Sequence, residues 1–139
     1  MAKVGAVNPL LREIVFSDVN VTFTPHPVTG KLPVLKNAEA VKRAVRNLIL
    51  TNYYERPYEP TFGGNIRALL FENADDPLLA NLIENQIENA IASYEPRAKV
   101  LGIDVRVLPD QNGIAIKITF QVVNQRFPVE LDVEIQRVR

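Results

Sequence analysis

The chain has 139 residues, enough for one domain with a substantial core, and its 47% hydrophobic and 23% charged residues are the balance of an ordinary globular protein. Sixteen basic residues are matched by sixteen acidic ones, so no net field draws the chain to nucleic acid or to an anionic membrane. The absence of cysteine excludes disulfides, thiol catalysis and thiolate metal sites, and leaves packing alone to hold the fold.

Residues 1–8 lack the apolar run of a signal peptide, and no stretch approaches the roughly 20 apolar residues of a bilayer span. A cytoplasmic, unsecreted product is expected. Residues 1–16 are weakly patterned and read as a flexible N-terminal arm. Val19, Val21 and Phe23 alternate with Asn20, Thr22 and Thr24 as in a short strand. Pro25 to Gly30 then imposes a turn, because the prolines fix φ and Gly30 can take a positive one.

The first clear helix begins at Asn37, a good N-cap, with Glu39 in its first turn. Val41, Ala44, Val45, Leu48 and Ile49 form its buried stripe, while Lys42, Arg43 and Arg46 fall on the other side. Residues 53–64 carry Pro57, Pro60, Gly63 and Gly64 and cannot be regular helix, which makes them an ordered or functional loop. A short helix is expected over Asn65 to Phe71. Asp76-Pro77 is a strong helix start, followed by an apolar face of Leu79, Leu82, Ile83, Ile87, Ala90, Ile91 and Tyr94. Pro96 ends that helix by disfavouring α geometry at Glu95.

The apolar period then changes from 3.6 to 2. Ile103, Val105 and Val107 open the pattern; Ile114, Ile116, Ile118, Phe120 and Val122 continue it; Val129, Leu131, Val133 and Ile135 close it. The links around Asp110 to Gly113 and Asn124 to Arg126 are short enough for hairpins. These elements predict a single α+β domain over 17–139, a two-layer arrangement of a three-stranded antiparallel meander on two main helices, with a short N-terminal strand and a short helix added. Such a meander has two edges of unpaired backbone groups. Its last strand alternates cleanly after Pro128, with Glu130, Asp132 and Glu134 pointing outward. Those acids either solvate an exposed face and keep monomers apart, or flank an edge to which a partner's extended arm adds.

Residues able to carry chemistry are sparse. His26 is the only histidine and lies between two prolines with no acid at ligand spacing, so a triad or zinc site is not supported. Gly30-Lys31 fails the phosphate-loop pattern, because Pro25 stands where its first glycine is needed and Leu32 where a Ser or Thr is needed. Gly63-Gly64 either turns the chain tightly into the next helix or offers N–H groups to an anion. Glu55, Glu59, Glu72 and Glu95 lie near loops or helix ends, where Arg56, Arg67 and Arg97 are available to pair with them. A glycosidase would require two of them desolvated and about 5–9.5 Å apart. No catalytic residue, metal ligand or cofactor is assigned.

Two stretches are more distinctive. One runs from Asn47 to Pro60 (Asn-Leu-Ile-Leu-Thr-Asn-Tyr-Tyr-Glu-Arg-Pro-Tyr-Glu-Pro) into Phe62-Gly63-Gly64-Asn65-Ile66-Arg67 and Leu70-Phe71-Glu72-Asn73. The other is Ile91 to Arg97 (Ile-Ala-Ser-Tyr-Glu-Pro-Arg) ahead of the strands. Together they resemble the baseplate wedge family of contractile-tailed phages, filed as W/acidic-lysozyme-like proteins, and are similar to the type VI secretion component TssE. The likeness spans Ser17 to Arg139. It implies a structural wedge component of a contractile injection machine that acts as sheath initiator in the tail baseplate and is assembled in the host cytoplasm. The implied partners are the helical core bundle of larger wedge proteins and the tail sheath subunits, with six copies per baseplate, no nucleic acid and no membrane.

The same resemblance implies that Glu95, Pro96 and Arg97 dock the protein on the core bundle, in a protruding geometry fixed by Pro96, whereas an internal Glu95–Arg97 ion pair is the alternative. It also implies that Glu130, Asp132 and Glu134 lie on the sheath-facing strand. Glu55, Arg56, Pro57, Gly63, Gly64 and Arg67 form a possible interface loop. Two other functions stay open on the residues alone. One is a peptidoglycan-degrading, lysozyme-like glycoside hydrolase, which the family label suggests without a convincing catalytic pair here. The other is a small adaptor domain unrelated to injection machines.

Overall fold

Eleven of the fully buried large side chains are aliphatic and one is Phe120, and they lie between a three-stranded sheet and two helices. The computed structural model describes residues 16–20, 22–72, 78–123 and 125–136. In order they form β1 (Ser17–Val19), β2 (Val34–Lys36), α1 (Ala38–Leu50), α2 (Ile66–Glu72), α3 (Leu79–Tyr94), β3 (Ala98–Leu108), β4 (Gly113–Val122) and β5 (Pro128–Gln136). The two-layer α+β arrangement is the one the apolar periods require. No helix among the described residues is long and apolar enough to cross a membrane.

The sheet runs β3-β4-β5, antiparallel throughout. Nine consecutive pairs join β4 to β5, from Gly113 opposite Gln136 to Gln121 opposite Pro128, without interruption. The β3–β4 ladder instead shifts register between Val100 and Gly102, leaving Leu101 as the extra, exposed residue of a bulge. Because side chains alternate across a strand, Ile114, Ile116, Ile118, Phe120 and Val122 of β4 all enter the core together with Leu131, Val133 and Ile135 of β5. Helix α3 packs beneath β3 and helix α1 beneath β5, with Val41, Val45, Leu48 and Ile49 of α1 and Leu79, Ile83, Ile87, Ala90 and Ile91 of α3 buried.

Several local expectations are corrected. Asn37 occupies the N-cap position of α1 but makes no capping bond with its side chain. Its φ of 49° takes it out of the extended geometry an N-cap needs, and its Oδ1 instead accepts the Phe16 N–H at 3.2 Å, while its own N–H donates to the Phe16 carbonyl at 2.7 Å. Asn37 therefore closes the small β1–β2 ladder. The strand expected through Phe23 stops at Val19, since Phe23 has φ 50°, and its partner is β2, which the sequence pattern does not announce. The arm expected over residues 1–16 lies outside the described residues except for Phe16, which is half-buried. Asp76-Pro77 also lies outside them; the described part of α3 has Leu78 at its N-cap. Leu82, expected on the apolar face, is 52% exposed, and Tyr94 is 38% exposed. The buried stripe of α3 is narrower than the full apolar set because β3, α1 and α2 cover only one side of it.

The connection from α1 to α2 folds back on the end of α1. The Gly64 N–H donates to the Leu48 carbonyl at 2.9 Å and the Asn65 N–H to the Thr51 carbonyl at 3.3 Å, satisfying carbonyls that a helix end leaves open. This close approach requires glycine. Gly63 has φ 127°, and a Cβ placed there would overlap the Thr51 carbonyl oxygen. Gly63→Ala is expected to destabilise the fold by about 1–3 kcal/mol, read as a lower urea midpoint at an unchanged slope. Phe120→Ala, which empties the centre of the sheet's inner face, is expected to cost about 3–5 kcal/mol in the same measurement.

Candidate functional site

Two surfaces carry the residues singled out by the sequence. The first is the elbow after α3. Helix α3 ends at Tyr94, and the Glu95 N–H still donates to the Ile91 carbonyl at 2.9 Å before Pro96 forces the chain out of the helix. The Ala98 N–H returns to the Glu95 carbonyl at 3.1 Å, so the elbow is pinned on both sides of Pro96.

Within the elbow, the expected protruding acid–base pair is not what forms. Glu95 is 6% exposed, the one buried charged side chain among the described residues. Arg97 grips it with a fork: Nε donates to Oε1 at 2.6 Å and Nη2 to Oε2 at 2.7 Å. The physical reason is distance in sequence. Two residues apart across a proline bend, the guanidinium reaches both carboxylate oxygens, and a carboxylate excluded from water needs that charge-assisted pairing. The hydrogen bond to Glu95 raises the Arg97 pKa above its ordinary value. Arg97 is itself about one-third exposed in its side chain, the charge of Asp18 reaches it, and its guanidinium lies 5.5 Å from the centre of the Phe16 ring. Pro96 is exposed.

The Tyr53 to Gly64 loop leans on this elbow. The Tyr94 hydroxyl donates to the Thr61 carbonyl at 3.1 Å, and the Phe62 and Tyr94 rings meet at 4.9 Å. Arg56 lies over the Phe62 ring at 3.6 Å and pairs with Glu59 at 3.4 Å. Glu55 folds back on Asn52, accepting its backbone N–H at 3.0 Å and its side-chain amide at 2.7 Å; the backbone bond is the main reason its pKa is lowered. Gln86 of α3 donates to the Tyr53 hydroxyl at 2.6 Å. The loop is thus ordered, with Pro57, Tyr54 and Tyr58 outward and Arg67 exposed on α2. Gly63 and Gly64 serve the turn, since the Gly64 N–H is already committed to Leu48.

These contacts dispose of the carboxylates as a catalytic set. Glu55 is held by Asn52, Glu59 by Arg56 and Glu95 by Arg97; the Glu72 side chain lies outside the described residues. His26 is a turn residue, its Nδ1 accepting the Val28 and Thr29 N–H groups at 3.2 and 3.4 Å.

The second surface is the β5 border. Among the described residues, no strand pairs with β5 on the side away from β4. On the sheet's outer face Glu130, Asp132 and Glu134 are exposed; Glu130 pairs with Lys117 of β4 at 2.9 Å, and this bond, reinforced by Asp132, raises the Lys117 pKa. Asp132 and Glu134 make no ion pair among the described residues. On the inner side, a groove of about 330 Å³ separates β5 from α1 and β2, lined by Leu35, Glu39, Lys42, Arg43, Arg46 and Leu131. The helical period alone puts Lys42, Arg43 and Arg46 on a solvated face and carries no sign of their nearness to β5.

Comparison with known proteins places this architecture. Residues 36–126 match the family described as baseplate wedge protein gp25. The baseplate wedge protein gp25 of Enterobacteria phage T4 is 33% identical over 91 residues, 66% of this chain and 68% of that protein. Among solved structures, a chain of the six-fold symmetrised baseplate of the anti-feeding prophage superposes with a TM-score of 0.66 at 29% identity, covering 80% of this chain and 88% of that one. A putative tail lysozyme from Geobacter sulfurreducens superposes with a TM-score of 0.61 at 25% identity, covering 77% and 99%. The chain therefore belongs to the gp25 family of baseplate wedge proteins, structural components of contractile-tail baseplates and not enzymes.

Proposed function

We propose that this protein docks onto other wedge proteins through the Glu95-Pro96-Arg97 elbow and offers the β5 border to extended arms of sheath subunits, so that the first sheath ring forms on it. The observation that carries this reading is the β5 border itself: nine uninterrupted pairs with β4, no bulge, no proline after Pro128, and no partner strand among the described residues. The other border is less regular, because the Leu101 bulge limits the uninterrupted run of β3 to Gly102–Leu108. Alternate N–H groups of an edge strand face away from its neighbour, so β5 presents about four for a newcomer. Each new backbone bond contributes about 1 kcal/mol net, which gives a joint that depends on several forming together.

At the elbow, Glu95 acts as a brace. It consumes Nε and one Nη2 donor of Arg97 and fixes the guanidinium plane, which leaves Nη1 and the Pro96 ring to meet an acidic or carbonyl-bearing partner. The aromatic–arginine stack of Phe62, Tyr94 and Arg56 supports the same surface from the loop side. The location that follows is the tail baseplate, after assembly with wedge partners in the host cytoplasm.

Two measurements test these roles separately. The paired change Glu95→Ala with Arg97→Ala is expected to leave a folded chain, by circular dichroism, that is lost from purified wedge complexes; normal incorporation would remove the docking role. Arg97→Ala alone strands a buried carboxylate and is expected to cost about 1–3 kcal/mol of stability as well, since Arg97 is partly exposed. For the border, amide hydrogen exchange is expected to show unprotected alternate amides over residues 129–135 in the free protein that become protected once sheath subunits are added to baseplates. Protection that is complete in the free chain, or unchanged by sheath, contradicts strand addition at β5.

A further inference from the structure

The strand that joins β5 meets opposite charges on its two faces. On the outer face it lies beside Glu130, Asp132 and Glu134, of which Glu130 alone forms an ion pair among the described residues, with Lys117. On the inner side it borders the groove of about 330 Å³ whose α1 wall carries Lys42, Arg43 and Arg46 against one acid, Glu39, above a floor of Leu35 and Leu131. None of these three cations pairs with an acid among the described residues. Positions 39, 42, 43 and 46 share one face of α1 through the i, i+3, i+4 and i+7 spacing, directly next to the buried stripe of Val41, Val45 and Leu48. The strand therefore stands between an acidic row above the sheet and a basic row below its border.

Side chains of an added strand alternate between those two environments, and residues directly opposite on neighbouring strands have Cβ atoms about 4.5–5.5 Å apart, close enough for charge to be felt. Resting on strand addition at β5, the geometry points to a bipolar partner segment: an extended arm with Lys or Arg on the residues that face outward beside Asp132 and Glu134, and with Asp or Glu interspersed among small apolar residues on those that face α1. A one-residue slip would bring like charges together on both faces at once, so the same arrangement also fixes the register of the joint.

Blocked, fluorescein-labelled ten-residue peptides on an alternating Thr-Val scaffold serve as probes of the full-length chain. One carries Lys at the Thr positions and Glu at two of the Val positions, a second the Lys alone, a third the Glu alone, and a fourth neither. Anisotropy at low salt measures affinity, and exchange protection of the β5 amides shows where each probe sits. The bipolar probe is expected to bind about 10-fold tighter than either single-charge probe, the sum of several favourable cross-strand pairs. Arg43→Glu with Arg46→Glu is expected to abolish its advantage over the Lys-only probe. Asp132→Lys with Glu134→Lys is expected to abolish its advantage over the Glu-only probe. The milder Arg43→Gln with Arg46→Gln gives the same direction if the reversal disturbs folding.

Equal affinity of all four probes at β5, or a bipolar advantage that survives both pairs of substitutions, overturns the charge assignment while leaving strand addition standing. Failure of every probe to protect β5 overturns strand addition at this border and the assignment with it.

Discussion

The structure depends on a sheet that the described residues cover on one face only. Three strands and two main helices provide one dry layer, between β4 with its flanking strands and the stripes of α1 and α3. Burial of that layer is non-directional and scales with apolar area, so it fixes the sheet against the helices without needing any surface group. The outer sheet face, the β5 border and the elbow are then free to differ from what stability alone would choose. A third helix over the outer face would make a better core and remove the exposed rows of charge.

The elbow shows how a small region answers two demands at once. Pro96 ends α3 and aims the chain into β3, and the residues on either side of it must satisfy a carboxylate that the core has excluded from water. The Arg97 fork does so with two short bonds, at the cost of rotational freedom in its long side chain. An ion pair of this kind adds little to stability compared with an apolar replacement, but loss of one partner is costly. Its value lies in direction: the guanidinium plane is held in one orientation at the protein surface.

Much of the fold was legible in the sequence because apolar periodicity reports burial directly. The stripe of α1, the change of period after Arg97 and the stop at Pro96 all rest on local sterics or on burial. Asn37 was legible as the start of α1 but not as the clasp of the β1–β2 ladder, since its bond to Phe16 crosses 21 residues of sequence. Strand β2 has three residues and little alternation, so only pairing with β1 reveals it. In the site, Glu95, Pro96 and Arg97 were found by motif, but their side-chain directions depend on the depth of the core beneath them. The basic wall of α1 was read as ordinary solvated surface because its meaning lies in β5, some 85 residues further along the chain, which no helical pattern can show.

The bulge at Leu101 has a consequence for the free protein. An endless ribbon of molecules, head to tail, needs two complementary edges per copy: β3 of one joined to β5 of the next. With the β3 ladder shifted at Leu101, that heterologous contact has only the Gly102–Leu108 stretch in one register, shorter than the nine-residue run of β5. The remaining self-contact, β5 against β5 about a two-fold axis, brings the Glu130, Asp132 and Glu134 row onto its own image. One kind of self-contact is therefore shortened by the bulge and the other lacks a counter-charge, which leaves β5 as a live edge poorly suited to seeding a fibre.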